Sequence, residues 1–470
     1  TLSTKSVPKT ADFPVISKEI TDALQSRGLE AVLEPAKKLG EDAVAELARE
    51  LSSLNWDALD RQLHALSLVP SPKTGELTPP PLAPPSTIPS EETQKATQVG
   101  WEALNTGRVA LCTVAGGQAS RLGFDGPKGA FPLGPVTGTS LFQGMAGQVG
   151  LLRKRTGVAI PWIIQTGPEN HKDTIQFFSR RSFFGLGSSS VRFVCQGTLP
   201  ALSPEGKLLL SSPTKLFRNP DGHGGFYAAL LKTGTFDWLR KQGVDTLFYC
   251  QVDNPLVRMG DPAFLGHHLS SNAKMSIKVI EKTDPEEKVG LVVLVDQVPS
   301  CIEYSDLSPE LAREVADDGG LKFRAGNLAI HAFDLDFAES CATQPLELHL
   351  ARKKLLALDG GMEASVRDGV KFETFVFDAL PRAGTVVVQM CEREEEFAPV
   401  KNRTGQDSIA TSRQALDARN RKWLQESQLP NFTSQRASEI RAGILLDSGD
   451  LAELAPSLSL GCGNSLLLED

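Results

Sequence analysis

The stretch Val114–Gly129 holds five glycines (Gly116, Gly117, Gly123, Gly126, Gly129) and two cations, Arg121 and Lys128. Glycine lets a backbone come close to a ligand and turn several N–H groups to one side, and the concavity so formed attracts anions. The spacing reads as a phosphate-binding loop; the alternative is a glycine-rich turn with incidental cations. It is not a Walker A loop, because Lys128 is followed by Gly129, and Gly116-Gly117-Gln118 does not supply a dinucleotide fingerprint. Further along, Tyr249-Cys250-Gln251-Val252-Asp253-Asn254 puts a carboxylate at the end of an apolar run. Mg²⁺ is usually held by one or two carboxylates plus phosphate oxygens, so Asp253 suits a hard cation, although strand ends also carry merely solvated Asp. The segment Asn-Pro-Asp-Gly-His-Gly-Gly, residues 219–225, is a turn-rich second place for close backbone approach. Gly290, Glu303 and Asn327 each fall near the end of a strand-like run. A backbone group, a carboxylate and a carboxamide can hydrogen-bond the hydroxyl and acetamido groups of a sugar, and each is equally an ordinary turn residue. The run Glu392–Asn402, with three successive glutamates at 394–396 and Lys401 near its end, reads as a solvated charged face.

These groups need a scaffold. Val109 to Val114 is short, apolar and β-branched at both ends, as a buried strand would be. Leu141, Met145, Val149 and Leu152 recur at near-helical spacing behind Thr139 and Ser140 as caps. Further strand candidates lie at 158–165, 191–196, 246–252, 275–280, 290–295 and 384–390, and helix candidates at 140–154, 169–180 and 226–241. This alternation predicts an α/β architecture with a largely parallel sheet covered on both faces and ligands near the carboxyl ends of its strands. Residues 14–68 predict helices (Ile16, Ile20 and Leu24; Val44, Leu47 and Leu51) that form a small packing unit. Residues 70–89 carry eight prolines, which favour extended polyproline geometry and predict a wrapped or mobile linker. Near the end of the chain, Leu458–Leu466 reads as strand–turn–strand.

A chain of 470 residues can bury a large core and predicts two or three domains. A hydrophobic content of 40% and a charged content of 23% are ordinary for a soluble globular protein, and a net charge of −8 argues against a general nucleic-acid or membrane-surface binder. An anionic substrate would then need locally placed cations, which the glycine loop offers. Seven scattered cysteines without a C-x-x-C pair favour reduced thiols in an intracellular, cytoplasmic setting and give no zinc pattern. No apolar run reaches about 18 residues, so a soluble protein is expected.

The pattern G-G-x-x-x-R-L-G followed by P-K-G resembles the signature loop of sugar-nucleotide pyrophosphorylases. With P-D-G-x-G-G, V-D-N, Glu-Tyr-Ser at 303–305, A-G-N, F-V-F-D at 375–378 and E-E-E-F-x-P-x-K-N, residues 95–425 resemble the eukaryotic UDP-N-acetylglucosamine pyrophosphorylases. The resemblance implies a GT-A-like, Rossmann-related mixed sheet flanked by helices, with an N-terminal helical segment and a small C-terminal domain. The expected boundaries are 1–100 for the helical segment and linker, 101–402 for a catalytic nucleotidyltransferase domain and 403–470 for the C-terminal domain. It further implies UTP and N-acetylglucosamine-1-phosphate as substrates, with Mg²⁺ (or Mn²⁺) as cofactor and neither nucleic acid nor membrane as partner. By matching motif, Ala115, Gly116, Gly117, Gln196, Gly222 and His223 would bind the nucleotide. Arg121, Lys128 and Lys401 would hold phosphates and carry catalysis, Gly290, Glu303 and Asn327 would hold the sugar, and Asp253 the metal. Two departures stand out: His223 where the family usually has Asn, and Gln165-Thr166 where it has Thr-Ser. An enzyme acting on another hexose-1-phosphate and a non-catalytic binder of nucleotide-sugar are the alternatives.

Overall fold

The computed structural model describes residues 16–68, 75–304, 306–426, 437–440, 459–460 and 465–469. Pro70, Pro72, Ser305, Cys462 and most of the tail beyond 426 therefore lie outside the described residues. The chain divides into two compact units.

One unit is assembled from three separated stretches: the N-terminal helices, Thr198–Gly222 and Leu348–Thr374. Helices Lys18–Gln25, Glu34–Leu39, Glu41–Ser52 and Trp56–Ser67 form where the apolar spacing predicts them. Ser17 and Asn55 cap two of them by accepting from the N–H groups of Ile20 and Ala58. Their buried stripe (Ile20, Leu24, Leu47, Leu51, Leu59) does not close on itself; it shares a core with Leu202, Leu210, Leu216, Val370 and Phe372. The last two belong to the antiparallel hairpin His349–Ala357/Ser365–Glu373. Two β-rich stretches from within 101–402 thus supply apolar surface that the short helices lack.

The other unit carries a ten-stranded sheet. Its strands are β1 (Leu77–Thr78), β2 (Val109–Val114), β3 (Trp162–Thr166), β4 (Val191–Cys195), β5 (Thr246–Gln251), β6 (Met275–Glu281), β7 (Leu291–Val295), β8 (Val298–Ile302), β9 (Ala325–Asp334) and β10 (Val386–Cys391). The path β1-β7-β9-β5-β2-β3-β4 forms the sheet, with β6 pairing both β9 and β10 and β8 pairing β7. Strands β5, β2, β3 and β4 are parallel, as are β6 and β10, but β9 runs antiparallel to β5, β6 and β7. The sheet is thus mixed, as the resemblance implies: the strands around the glycine loop are parallel, as are β6 and β10, and β9 runs against them.

The helix Leu141–Thr156 starts at Ser140, whose Oγ accepts from Gln143 N, and its last turn places Arg153, Lys154 and Arg155 at the negative end of the helix dipole. Residues 226–241 do not form one helix: Gly225–Lys232 and Thr235–Arg240 are separated at Gly234. The proline-rich strip, from residue 75 onward, is stitched to the sheet rather than free. Leu77 and Thr78 pair with β7, Ala83 N donates to Val388 O at 2.8 Å, and Met390 N donates to Ala83 O at 3.0 Å. Ser459–Leu460 pairs antiparallel with Ser465–Glu469, in keeping with the strand–turn–strand reading. Among the described residues no helix is long and apolar enough to cross a membrane. Among the described residues Cys112, Cys195, Cys250, Cys301, Cys341 and Cys391 form no disulfide.

Candidate functional site

Because β2, β3, β4, β5, β6 and β10 share one direction, their carboxyl ends lie along one edge of the sheet, joined there by the amino end of the antiparallel β9. Ligands bind at such an edge in open α/β sheets. The glycine loop leaves β2 and is locked by a residue the sequence did not single out. Buried Asn170 donates through Nδ2 to Ala115 O (2.8 Å) and Gly117 O (3.0 Å), while its Oδ1 accepts from Gly167 N at 2.9 Å. With two carbonyls drawn inward, the N–H groups of Gly116 and Gly117 donate to no acceptor among the described residues. That is the arrangement an anion requires. The only sequence signal for Asn170 was a Gly-Pro-Glu-Asn turn after β3.

Gly116 is a glycine for reasons of space: a Cβ there would stand 2.8 Å from Gln196 Oε1 and 3.2 Å from Gly167 N. Gln196 in turn accepts from Gln165 Nε2 at 3.0 Å, so the glycine loop and this amide pair touch. Arg121 is exposed on the turn Ser120–Leu122 and forms no ion pair among the described residues. Lys128 and Asp253, 125 residues apart in the chain, meet at 2.9 Å between Nζ and Oδ2, with side chains only 12% and 14% exposed.

Lys401 arrives from β10. Val400 N donates to Asp253 O at 2.9 Å, which lays the end of the 392–402 run alongside the Asp253 strand end. Its own side chain is 41% exposed, and Nζ faces Asp407 Oδ2 at 3.3 Å. The run is not a solvated face, and here the structure corrects the sequence. Glu395 is 8% and Glu396 is 5% exposed. Glu396 meets Lys278 Nζ at 2.6 Å through both oxygens, and Glu395 accepts from Lys422 Nζ (2.6 Å) and Trp423 Nε1 (3.0 Å). Those partners come from β6 and from the helix Ile409–Glu426, far away in sequence. Arg403 was also missed: a Cβ on Gly123 would lie 3.6 Å from its Nη1, so a further cation lies over the glycine loop.

Gly290, Glu303 and Asn327 converge. Asn327 N donates to Gly290 O at 2.8 Å, and a Cβ on Gly290 would lie 3.8 Å from Glu303 Oε1. The Asn327 carboxamide also has a local duty, since its Oδ1 accepts from Ala329 N at 2.7 Å and so holds the irregularity in β9 where the register with β6 shifts. Gly222 and His223 fall on either side of the division between the units. Gly222, at φ +86°, lies where a Cβ would be 2.4 Å from Thr374 O. His223 Nδ1 accepts from Val376 N at 3.1 Å, and its ring stacks on Phe375 with centroids 5.1 Å apart.

For a hard cation, the donor set is a single carboxylate, Asp253; among the described residues no three His, Cys, Asp or Glu side chains cluster as a protein-only cage. One carboxylate at a strand end fits a cation that completes its shell with phosphate oxygens and water.

A family profile described as UTP–glucose-1-phosphate uridylyltransferase matches residues 76–435. A Mus musculus protein called UDP-N-acetylhexosamine pyrophosphorylase-like protein 1 is 34% identical over 94% of this chain and 92% of its own length. The UDP-N-acetylglucosamine pyrophosphorylase of Saccharomyces cerevisiae is 34% identical over 77% of this chain and 76% of its own length. In three dimensions, the crystal structure of the Trypanosoma brucei uridine diphosphate N-acetylglucosamine pyrophosphorylase shares the fold, with a TM-score of 0.80 over 97% of this chain and 99% of that one at 22% identity.

Proposed function

The chain belongs to the UTP–glucose-1-phosphate uridylyltransferase family, and on that premise we propose that it converts UTP and N-acetylglucosamine-1-phosphate to UDP-N-acetylglucosamine and pyrophosphate. The observation that carries the reading is the meeting of Lys128 and Asp253 at 2.9 Å beside the glycine loop, with the Lys401 segment hydrogen-bonded to the same strand end.

A phosphate oxygen of the sugar-1-phosphate attacks the α-phosphorus of UTP in line. One P–O bond forms, the α–β bridging P–O bond breaks, and its electron pair leaves with pyrophosphate. The attacking phosphate is already ionised near neutral pH, so no protein nucleophile or general base is required. The protein's part is alignment and charge. The free N–H groups of Gly116 and Gly117 and the Arg121 guanidinium hold the triphosphate, and Lys128 and Lys401 oppose the negative charge gathered around the α-phosphorus. Gln196, Gly222 and His223 serve the uridine side, and Gly290, Glu303 and Asn327 the sugar. Asp253 would hold Mg²⁺ (or Mn²⁺), which supplies further positive charge when bound.

The test is pyrophosphate release from UTP across a panel of sugar-1-phosphates. N-acetylglucosamine-1-phosphate should give the highest kcat/KM. Preference for another hexose-1-phosphate would move the specificity, with His223 the first residue to exchange. No release with any sugar would make the chain a binder of nucleotide-sugar rather than an enzyme.

A further inference from the structure

Lys278 lies in the middle of β6 within Met-Ser-Ile-Lys-Val-Ile, and it is wholly buried. An ammonium withdrawn from water costs several kcal/mol unless its donors are satisfied. Here Nζ reaches Asp261 Oδ2 at 2.7 Å and both oxygens of Glu396 at 2.6 Å. Burial alone would push the Asp261 carboxyl up, but Lys278 and Arg258 hold it below the ordinary carboxylate range.

The two carboxylates are anchored differently. Asp261 is fixed by its own surroundings: its Oδ1 accepts from Ala263 N at the start of the helix Pro262–Ser270, and its Oδ2 accepts from Ser86 Oγ at 2.6 Å. Glu396 ends the single turn Arg393–Glu396 and begins the strap that leads to Lys401. Besides Phe397 N, which donates to Arg393 O at 2.9 Å within that turn, the strap is tied to the Asp253–Asn254 strand end and to the helix behind it. Asn254 Nδ2 donates to Glu396 O at 2.6 Å, Ala398 N to Asn254 Oδ1 at 3.2 Å, Val400 N to Asp253 O at 2.9 Å, and Ser412 Oγ to Pro399 O at 3.1 Å. Among the described residues the Lys401 side chain pairs with Asp407, whose backbone carbonyl also accepts from Lys401 N at 2.7 Å. Its placement therefore depends on the Asp407 turn at one end and on where the strap begins at the other.

The geometry points to Lys278 and Glu396 as positioning residues: the buried pair pins the start of the strap to the central sheet and so sets the distance from Lys401 to the Asp253 strand end. An apolar pair could fill the same volume at comparable stability, but it would not fix the register of a strap that reaches Lys401 five residues later. This inference rests on the catalytic role given to Lys401 above.

The test is a kinetic double-mutant cycle. Glu396→Gln keeps the shape but removes the charge, leaving Lys278 half paired. It should lower kcat about tenfold or more with the KM values for UTP and sugar phosphate within about threefold. In a Lys401→Ala background the same exchange should change kcat by less than about twofold, because the residue through which it acts is gone. Its effect on melting temperature should be equal in both backgrounds, as a purely structural effect would also be; only the loss of the kinetic effect marks positioning. Equal kinetic factors in both backgrounds, or a Glu396→Gln enzyme within twofold of the parent while Lys401→Ala is slow, would overturn the positioning role and leave the proposed reaction standing. A Lys401→Ala enzyme within threefold of the parent would remove Lys401 from catalysis and this inference with it. Should Glu396→Gln fail to fold, Glu396→Asp, which keeps the charge on a shorter arm, carries the same comparison with the same two outcomes.

Discussion

Gly116→Ala places a methyl group where none fits. Its Cβ would stand 2.8 Å from Gln196 Oε1 and 3.2 Å from Gly167 N, roughly 0.7 Å and 0.3 Å inside ordinary contact. Gly167 N belongs to backbone already tied by Asn170, so the Gln196 side chain must yield. Gln196 is 8% exposed and its oxygen accepts from buried Gln165 Nε2. Leaving a buried amide unpaired costs about 1–3 kcal/mol, and overpacking costs a similar amount. The two describe the same displacement, so the expected destabilisation is about 2 kcal/mol, which for a chain of this size is a shift of about 2 °C in Tm. Because Gln196 is assigned to the uridine, the same displacement should raise the KM for UTP about tenfold or more, while the KM for sugar-1-phosphate stays within about threefold. Gly117→Ala is the internal control: nothing lies within 4 Å of its Cβ, and its stability should stay within about 0.5 kcal/mol of the parent. Thermal melting and initial-rate kinetics on both variants decide the matter. If the two alanines behave alike, or if Gly116→Ala matches the parent in Tm and in KM for UTP, the glycine is not there to admit Gln196.

Asn327→Asp separates two duties of one side chain. It keeps an oxygen for Ala329 N and removes the Nδ2 donor, so Tm should change little while the KM for sugar-1-phosphate rises about tenfold; a large loss of Tm with unchanged KM would make Asn327 purely structural. Stability should also fall on mild acidification. His268 is buried, with Nδ1 2.8 Å from Ser276 Oγ, and burial pushes it down to about 4, opposed by Asp334 and Asp245 and helped by Lys274. The unfolded imidazole titrates near about 6.5, so its contribution is complete above that pH and is lost as the pH falls toward 4, by about 2 kcal/mol at pH 5. The urea midpoint should drop between pH 7.5 and 5, and His268→Gln should flatten that slope; an unchanged slope would assign the acid sensitivity elsewhere.

Local chemistry was legible where a segment's neighbours in sequence are also its neighbours in space. Val109–Val114 is apolar apart from Thr113 because both faces of β2 are covered, and Ser140 caps its helix within three residues. What long-range pairing creates stayed hidden. Glu395 and Glu396 looked solvated because Lys278, Lys422 and Trp423 do not appear beside them in the chain. Strand β9 reads Ala-Gly-Asn-Leu-Ala-Ile-His-Ala-Phe-Asp, and its alternation is broken at Ala329, which takes a positive φ of 55° opposite the register shift. Asn170 could be read as a turn residue, but not as the lock on a loop some fifty positions earlier.

The interrupted unit has a consequence for how the chain is made. The stripe on the helices between Lys18 and Ser67 is completed by apolar residues between Leu202 and Leu216 and between Leu358 and Phe372. During translation the first helices therefore emerge about three hundred residues ahead of their last partners, a delay of about 15–60 s at ordinary elongation rates. Throughout that interval Leu24, Leu47, Leu51 and Leu59 lack their final cover. The glycine loop, by contrast, and the strands on either side of it follow one another within about 150 residues and can begin to pair while the ribosome is still working. The edge that carries the glycine loop thus starts to form before the helices synthesised ahead of it have found their place.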